Sequence, residues 1–401
     1  MSEVVSIPQL RFPEFSGEWR VDKFVDLCKF QQGVQVDVEL QSTEPKNNFL
    51  RFLRIENYTQ KSNDFRYIPK ELSSNKSITE NEIAIVRYGA TAGYIGRGLK
   101  GVLANNLFKL VLNKDTLDTD YLFHLLRSYK TFCFFQSEMS GGAMPALSFG
   151  IVGALKLPYS SISEQQKIAA FLTAVDTKIE QLSKKKELLG EYKKGLMQKI
   201  FSQAIRFKAD DGSDFPDWED GLLNTLIDNS RKIRYGIVQP GKYDKNGKYL
   251  IRGKDYSNGW EIPSEFFKVS DAIEKKYSKT RVKKGDVIVC IVGSVGNVMV
   301  IPGWLDGANI TQTTARIAPD KNKLNNQYLY FYFQSLVGRN MIHKHTRVGT
   351  RPGLNIEDVE KFSILLPSLL EQAKIANFLS SIDNKIEQVG KQLDESKQFK
   401  K

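Results

Sequence analysis

The stretch EQQKIAAFLTAVDTKIEQ (164–181) returns as EQAKIANFLSSIDNKIEQ (371–388), with twelve of eighteen positions identical, 207 residues further on. Self-similarity of this kind dictates architecture before any local propensity does. Weaker matches precede each copy in the same order. RFPEFSGEW (11–19) resembles DFPDW (214–218), QQGVQ (31–35) resembles RYGIVQ (234–239), and FLRIENY (52–58) resembles LIRGKDY (250–256). NEIAIVRYGATAG (81–93) resembles GDVIVCIVGSVG (285–296), and LANN (103–106) sits where GANI (307–310) does. DYLFHLL (120–126) resembles QYLYFYF (327–333), and MPALSF (144–149) resembles RPGLNI (351–356). The chain therefore reads as a tandem duplication, each half a variable globular region followed by a conserved helix. A length of 401 residues agrees, being too great for one ordinary core.

The repeated helices carry a narrow apolar seam. Ile168, Leu172, Val175, Ile179, Leu182, Leu189, Leu196 and Ile200 follow coiled-coil spacing, interrupted by Lys186 and Lys193; Ile375, Leu379, Ile382, Ile386, Val389 and Leu393 do the same. Neither helix can bury its stripe alone, but two matched stripes can bury each other. In the globular regions, EIAIVRYG and DVIVCIVG read as strands ending at glycine, and KNGKYLIRG (245–253) as a turn into a strand. Residues 118–137 and 325–345 each read as one amphipathic helix. With no regular βαβ alternation the class is α+β. The expected architecture is two globular α/β domains separated by two long helices packed as an antiparallel coiled coil, a pseudo-two-fold internal repeat. The boundaries expected are 1–158 for the first domain, 159–205 for the helical spacer, 206–367 for the second domain and 368–401 for the last helix.

Lys and Arg number 58 against 46 Asp and Glu, an excess that suits a polyanionic partner. The second globular region is the more basic, with 23 basic against 15 acidic residues over 219–362, compared with 17 against 14 over 20–155. Two basic modules held apart by a helical ruler match a DNA duplex read at two half-sites, whose spacing the protein sets. Because the halves differ in sequence, the half-sites should differ. Candidate DNA contacts in the first half are Lys29, Gln31, Gln32, Gln35, Arg54, Asn57, Tyr58, Arg87 and Tyr88. In the second they are Arg231, Lys232, Arg234, Tyr235, Gln239, Arg252, Arg347 and Arg351. Arg and Gln suit bidentate readout of base edges, and Lys suits phosphate.

Other chemistries find little support. There is no GxxxxGK[ST] and no Asn/Asp-Pro-Pro-Tyr run of an adenine methyltransferase. GATAGYIG (89–96) and GSVG (293–296) read as tight turns. His124 reads as packing, His343 and His345 fall in a basic loop without further ligands, and no metal site is expected. Cys28, Cys133 and Cys290 read as buried free thiols. The N-terminus lacks a signal-peptide pattern and no apolar run is long enough to span a bilayer, which points to the cytoplasm. A binding subunit without catalytic machinery is the leading reading. The alternatives are a coiled-coil scaffold or adaptor, and a self-contained DNA methyltransferase or nuclease with diverged motifs.

The chain resembles the specificity subunit (HsdS) of type I restriction–modification systems along essentially its whole length. The resemblance rests on 157–201, on LPSLLEQAKIANFLSSIDNKIEQ (366–388), on FPEFSGEW and FPDW, and on YGIVQPG (235–241). It implies two target-recognition domains, each reading one half of a bipartite, asymmetric double-stranded DNA site. The helices would set the spacer and dock two modification (HsdM) methyltransferase subunits, and restriction (HsdR) subunits would join them. S-adenosylmethionine, Mg and ATP would be bound by those partners, with no cofactor in this chain. The first helix runs on through GLMQKIF (195–201), a continuation the second lacks; by the resemblance, residues before Phe12 would lie near that end.

Overall fold

The computed structural model describes residues 8, 10–73, 76–139, 145–257, 259–347, 349 and 352–400, with 3–5 as backbone only. Two compact units divide the chain: Met1–Gln181 with Leu393–Lys401, and Leu182–Gln392.

In the first unit, one sheet pairs Glu3–Val5, Trp19–Lys23 and Lys156–Tyr159 in that order. A second runs Cys28–Gln32, Leu107–Leu112, Ala84–Val86 and Ile95–Gly96. A third runs Arg66–Pro69, Phe49–Leu53, Gly101–Leu103 and Ser77–Ile78. The second unit repeats the plan. Its sheets are Glu219–Leu222 with Ser363–Leu366; Arg234–Tyr235, Thr314–Ile317, Val287–Cys290 and Val298–Val300; and Phe267–Val269, Lys248–Ile251 and Asn309–Ile310. Both copies contain one parallel pairing at the same place, Leu53 with Leu103 and Ile251 with Ile310. This register corrects the sequence alignment of LANN with GANI: Leu103 matches Ile310, not Gly307.

The two amphipathic runs are not single helices. The first is α1 (Thr119–Leu126) followed by α2 (Tyr129–Glu138). After the long helix α3 (Ile162–Phe201), the second is α4 (Asn326–Gln334) followed by α5 (Leu336–His345). Each break falls at a serine, Ser128 or Ser335, whose hydroxyl accepts from the backbone N–H of Thr131 or Gly338 and so starts a new helix. Apolar periodicity runs through such a break, so the pattern alone does not mark it. His343 and His345 consequently end a helix and do not sit in a loop. Cys28 and Cys290 are buried, and burial pushes the Cys28 thiol up to about 12, but Cys133 is exposed on the outer face of α2.

The last helix, α6, spans Leu369–Lys400. Its opening Glu-Gln and that of α3 explain the strongest part of the repeat. Glu164, Gln165, Glu371 and Gln372 are all buried. Gln165 accepts from Asp118 N–H at 2.9 Å and donates to the carbonyls of Ser160 and Thr116. Gln372 accepts from Asn325 N–H at 2.8 Å and donates to those of Pro367 and Lys323. Arg11 grips Glu164 at 2.7 and 2.8 Å, and Arg206 grips Glu371 at 3.3 and 2.9 Å. Tyr121 donates to Pro158 O, and Tyr328 to Leu365 O. Each lock ties the helix start to the lead-in strand and to α1 or α4.

The seam residues serve two kinds of packing. Ile168 packs on the first unit's core, and Ile375, Leu379 and Ile382 belong to the second unit's core, joined there by Met197, Ile200 and Phe201. Leu182, Val389 and Leu393 are buried, while Leu172, Val175, Ile179, Leu189 and Ile386 are half-buried. Within the second unit the helices run antiparallel: Lys193 pairs with Asp383 at 2.6 Å, and Lys186 lies over Gly390 at 3.3 Å from where a Cβ would be. Both lysines that interrupt the seam are therefore accommodated, one by a carboxylate and one by a missing side chain. Within the first unit, Phe171 packs on Phe399 and Asp176 pairs with Lys400.

Candidate nucleic-acid interface

At one end of each unit the strands converge on a glycine that no other residue can replace. A Cβ on Gly33 would overlap the carbonyl oxygens of Leu103 and Ala104; on Gly236 it would overlap that of Ile310. This close crossing lets Val34 bridge Ala104 and Ile237 bridge Thr311, and it carries the following residues, Gln35 and Gln239, out beyond the sheet. In the first unit Asn105 and Asn106 join this crossing to the next loop. Gln32 donates to Asn105 O, Asn105 donates to Gln35 Oε1 at 3.0 Å, and Arg87 N–H donates to Asn106 O. The arrangement brings Gln32, Gln35, Arg87 and Tyr88 to one edge. Tyr88 in turn bridges Ala146.

The second unit repeats the edge. Gln312 N–H donates to Ile237 O, Ile291 N–H to Thr313 O, and Leu354 N–H to Ile291 O. Val292 bridges Gly353, which also pairs with Arg347. These bonds join the segment that leads to Gln239 with the one that carries Arg347, and Arg234 and Tyr235 form the short strand before Gly236. The turn after the central strand is tight, with φ of 87° at Gly293 and 90° at Gly296.

Several candidates do other work. Asn57 and Tyr58 are buried and are not surface contacts. Asn57 Oδ1 accepts from Arg54 N–H at 2.8 Å, and its counterpart Asp255 does the same for Arg252. Arg54 pairs with Glu56 and Asp64, and Arg252 clamps Asp255 at 3.1 and 3.0 Å. FLRIENY and LIRGKDY are therefore a duplicated structural corner, which is why both copies keep it. Arg231 is held by Asp286, with Nη1 to Oδ1 at 2.6 Å. Arg87 has its guanidinium stacked over Phe149 and Tyr88, at 4.6 and 4.9 Å from the ring centroids. Arg351 lies outside the described residues.

Free polar groups remain. Lys29, Gln31, Lys232, Arg234, Tyr235 and Gln239 have no side-chain hydrogen bond or ion pair among the described residues; Lys29, Lys232, Arg234, Tyr235 and Gln239 are exposed and Gln31 is half-buried. Lys29 is at the far end of its strand from Gln35, opposite Val111. The loop bearing Lys232, just before the strand that starts at Arg234, is set from below by Arg316, whose buried guanidinium donates to Lys232 O at 2.7 Å. Its counterpart Lys109 is bound to Glu82 at 2.8 Å; burial works against that carboxylate, but Lys109 and Thr79 hold it below its usual range. Among the described residues no group of three or more His, Cys, Asp and Glu is placed to hold a metal, and no helix is long and apolar enough to cross a membrane.

The duplicated scaffold has known relatives. The sequence pattern of the type I restriction modification DNA specificity domain matches residues 17–190 and again 227–395. The chain belongs to the type I restriction–modification DNA specificity family. It is 28% identical to the type I restriction enzyme MjaVIII specificity subunit of Methanocaldococcus jannaschii, over 98% of this chain and 92% of that one. It is 24% identical to the EcoBI specificity subunit of Escherichia coli, over 73% of this chain and 65% of that protein. The crystal structure of a type I restriction–modification S subunit from M. genitalium shares the fold, with a TM-score of 0.59 at 15% identity, covering 98% of this chain and 97% of that chain. Each specificity domain copy thus contains one crossing glycine, one buried corner and one Glu-Gln lock.

Proposed function

We propose that this chain is the DNA-reading subunit of a type I restriction–modification complex, each unit recognising one half of a bipartite, asymmetric site. The observation that supports this most is the contrast between a matched interior and an unmatched rim. The glycine crossing, the corner and the Glu-Gln lock recur in both units, while the free polar groups at the strand ends do not. A scaffold duplicated for stability alone has no need of different rims; one that reads two different half-sites does. Lys232 supplies phosphate contacts and Arg234, Gln239, Gln35 and Arg347 reach for bases, whereas Lys29, at the other end of its strand, is not part of this edge.

The long helices set the spacing between half-sites and dock two modification (HsdM) methyltransferase subunits, with restriction (HsdR) subunits added to the assembly. Catalysis, together with S-adenosylmethionine, Mg and ATP, belongs to those partners in the cytoplasm, and this chain contributes binding alone. The test is to exchange residues 20–155 for those of another specificity subunit and map methylated adenines genome-wide. One half of the recognised sequence should change. If both halves change, or methylation is identical without this chain, the reading fails.

A further inference from the structure

Helices α2 and α5 occupy the same place in the two units. Each begins at its serine cap, and each turns one residue toward the glycine turn of its unit. A Cβ at Gly93 would meet Phe135 at 3.5 Å, and one at Gly296 would meet Ile342 at 3.4 Å. Position by position, the exposure of 131–137 matches that of 338–344. The inward positions keep the packing, whereas the outward ones have diverged completely. Phe132 and Cys133 face outward on α2; Arg339 and Asn340 stand in their places on α5, and His343 replaces Gln136.

Arg339, Asn340 and His343 lie at i, i+1 and i+4, on one face of α5. They line a cleft of about 1080 Å³ with Ser294 and Asn297 of the glycine turn. Gly293 N–H is bound to Pro352 O, so the cleft is continuous with the edge that carries Arg347. Among the described residues the side chains of Arg339, Asn340 and His343 make no hydrogen bond or ion pair. The arginines that the structure uses internally are tied: Arg231 to Asp286, Arg252 to Asp255, Arg281 to Glu274. An exposed Arg-Asn pair left untied has the two functional groups that pair bidentately with guanine and adenine edges.

We infer that the outer face of α5, through Arg339 and Asn340, determines base choice within the half-site read by the second unit. The inference rests on the proposed DNA-reading function and assigns it to a helix face in addition to the strand-end loops. The experiment uses the full chain assembled with its methyltransferase, on two DNA libraries in which each half-site is randomised separately. The unaltered assembly must discriminate at both halves; absence of discrimination would defeat the proposed function itself. Arg339→Ala and Asn340→Ala should each lower discrimination at one position of the second half-site by about 5- to 150-fold, as loss of a bidentate contact does. The first half-site should be unaffected. Arg339→Lys keeps the charge but not the planar fork, so it should relax base choice nearly as much as alanine. Unchanged discrimination in the alanine variants, relaxation at the first half-site, or full base choice in Arg339→Lys would each overturn the assignment.

Discussion

Replacing Glu371 by alanine tests what the repeated Glu-Gln is for. Its carboxylate is fully buried and accepts three bonds: from Arg206 at 3.3 and 2.9 Å and from Trp218 Nε1 at 3.0 Å. Removing one partner of a buried charge pair costs about 3–5 kcal/mol. Arg206 would keep the carbonyls of Phe215 and Pro216, and its side chain is 24% exposed, so solvent relieves part of the loss. The expected cost is therefore at the low end, about 3 kcal/mol. Glu371→Gln keeps the shape but sets its amide NH2 against an N–H of Arg206 or Trp218, so it loses at least one bond together with the charge assistance, about 1–3 kcal/mol. Because the chain holds two units, a single global melt would mix them. Hydrogen exchange resolved to the first turns of α6 reads the right free energy. A double-mutant cycle with Arg206→Ala should return about 2 kcal/mol of coupling. A Glu371→Ala variant within 0.5 kcal/mol of the parent, or a cycle with no coupling, would refute the claim that this lock fastens helix to lead-in (~0.5 being the resolution of such cycles).

Gly236→Ala should force Ile310 and its strand apart, destabilise the second unit by about 1–3 kcal/mol or more and abolish reading of its half-site alone; hydrogen exchange resolved to the second unit, with half-site-resolved methylation, checks this. The Arg11–Glu164 pair makes stability depend on pH. Burial disfavours the Glu164 carboxylate, but Arg11, then Ser160, hold its pKa below the ordinary 4.5. A lowered folded-state pKa means the stabilisation is complete above about 4.5 and disappears as the pH falls through the lower folded value. Glu164→Gln should flatten that acid limb in hydrogen exchange of α3; an unchanged limb would show that other carboxylates cause it.

The sequence made the duplication, the two helices and their apolar stripe legible because each is a repeated pattern with a fixed offset. It misled at the corner. FLRIENY and LIRGKDY looked like exposed recognition loops, since Arg, Asn and Tyr are also the residues of DNA contacts. Their recurrence in both halves was the signal against that role: what two modules share cannot distinguish two half-sites. Asn57 and Asp255 are shared because both cap a turn, and Arg54 and Arg252 because both pair internally. The same logic applies to the helix breaks, where a serine hydroxyl and one backbone N–H settle what apolar spacing leaves open.

The converse rule points to residues that composition hides. Arg339, Asn340 and His343 lie in an amphipathic helix whose inward face alone fixes the sequence pattern, so nothing in that pattern marks the outward face as special. Only superposition of one unit's exposures on the other's separates positions that maintain the fold from positions that are free to differ. Phe132 and Cys133 on α2 then become as informative as Arg339 and Asn340 on α5. A half-site read past an aromatic ring and a thiol favours apolar contact, as with a thymine methyl, whereas one read by Arg and Asn favours guanine and adenine edges. An internal duplication of this kind supplies within one chain the comparison that would otherwise require two proteins.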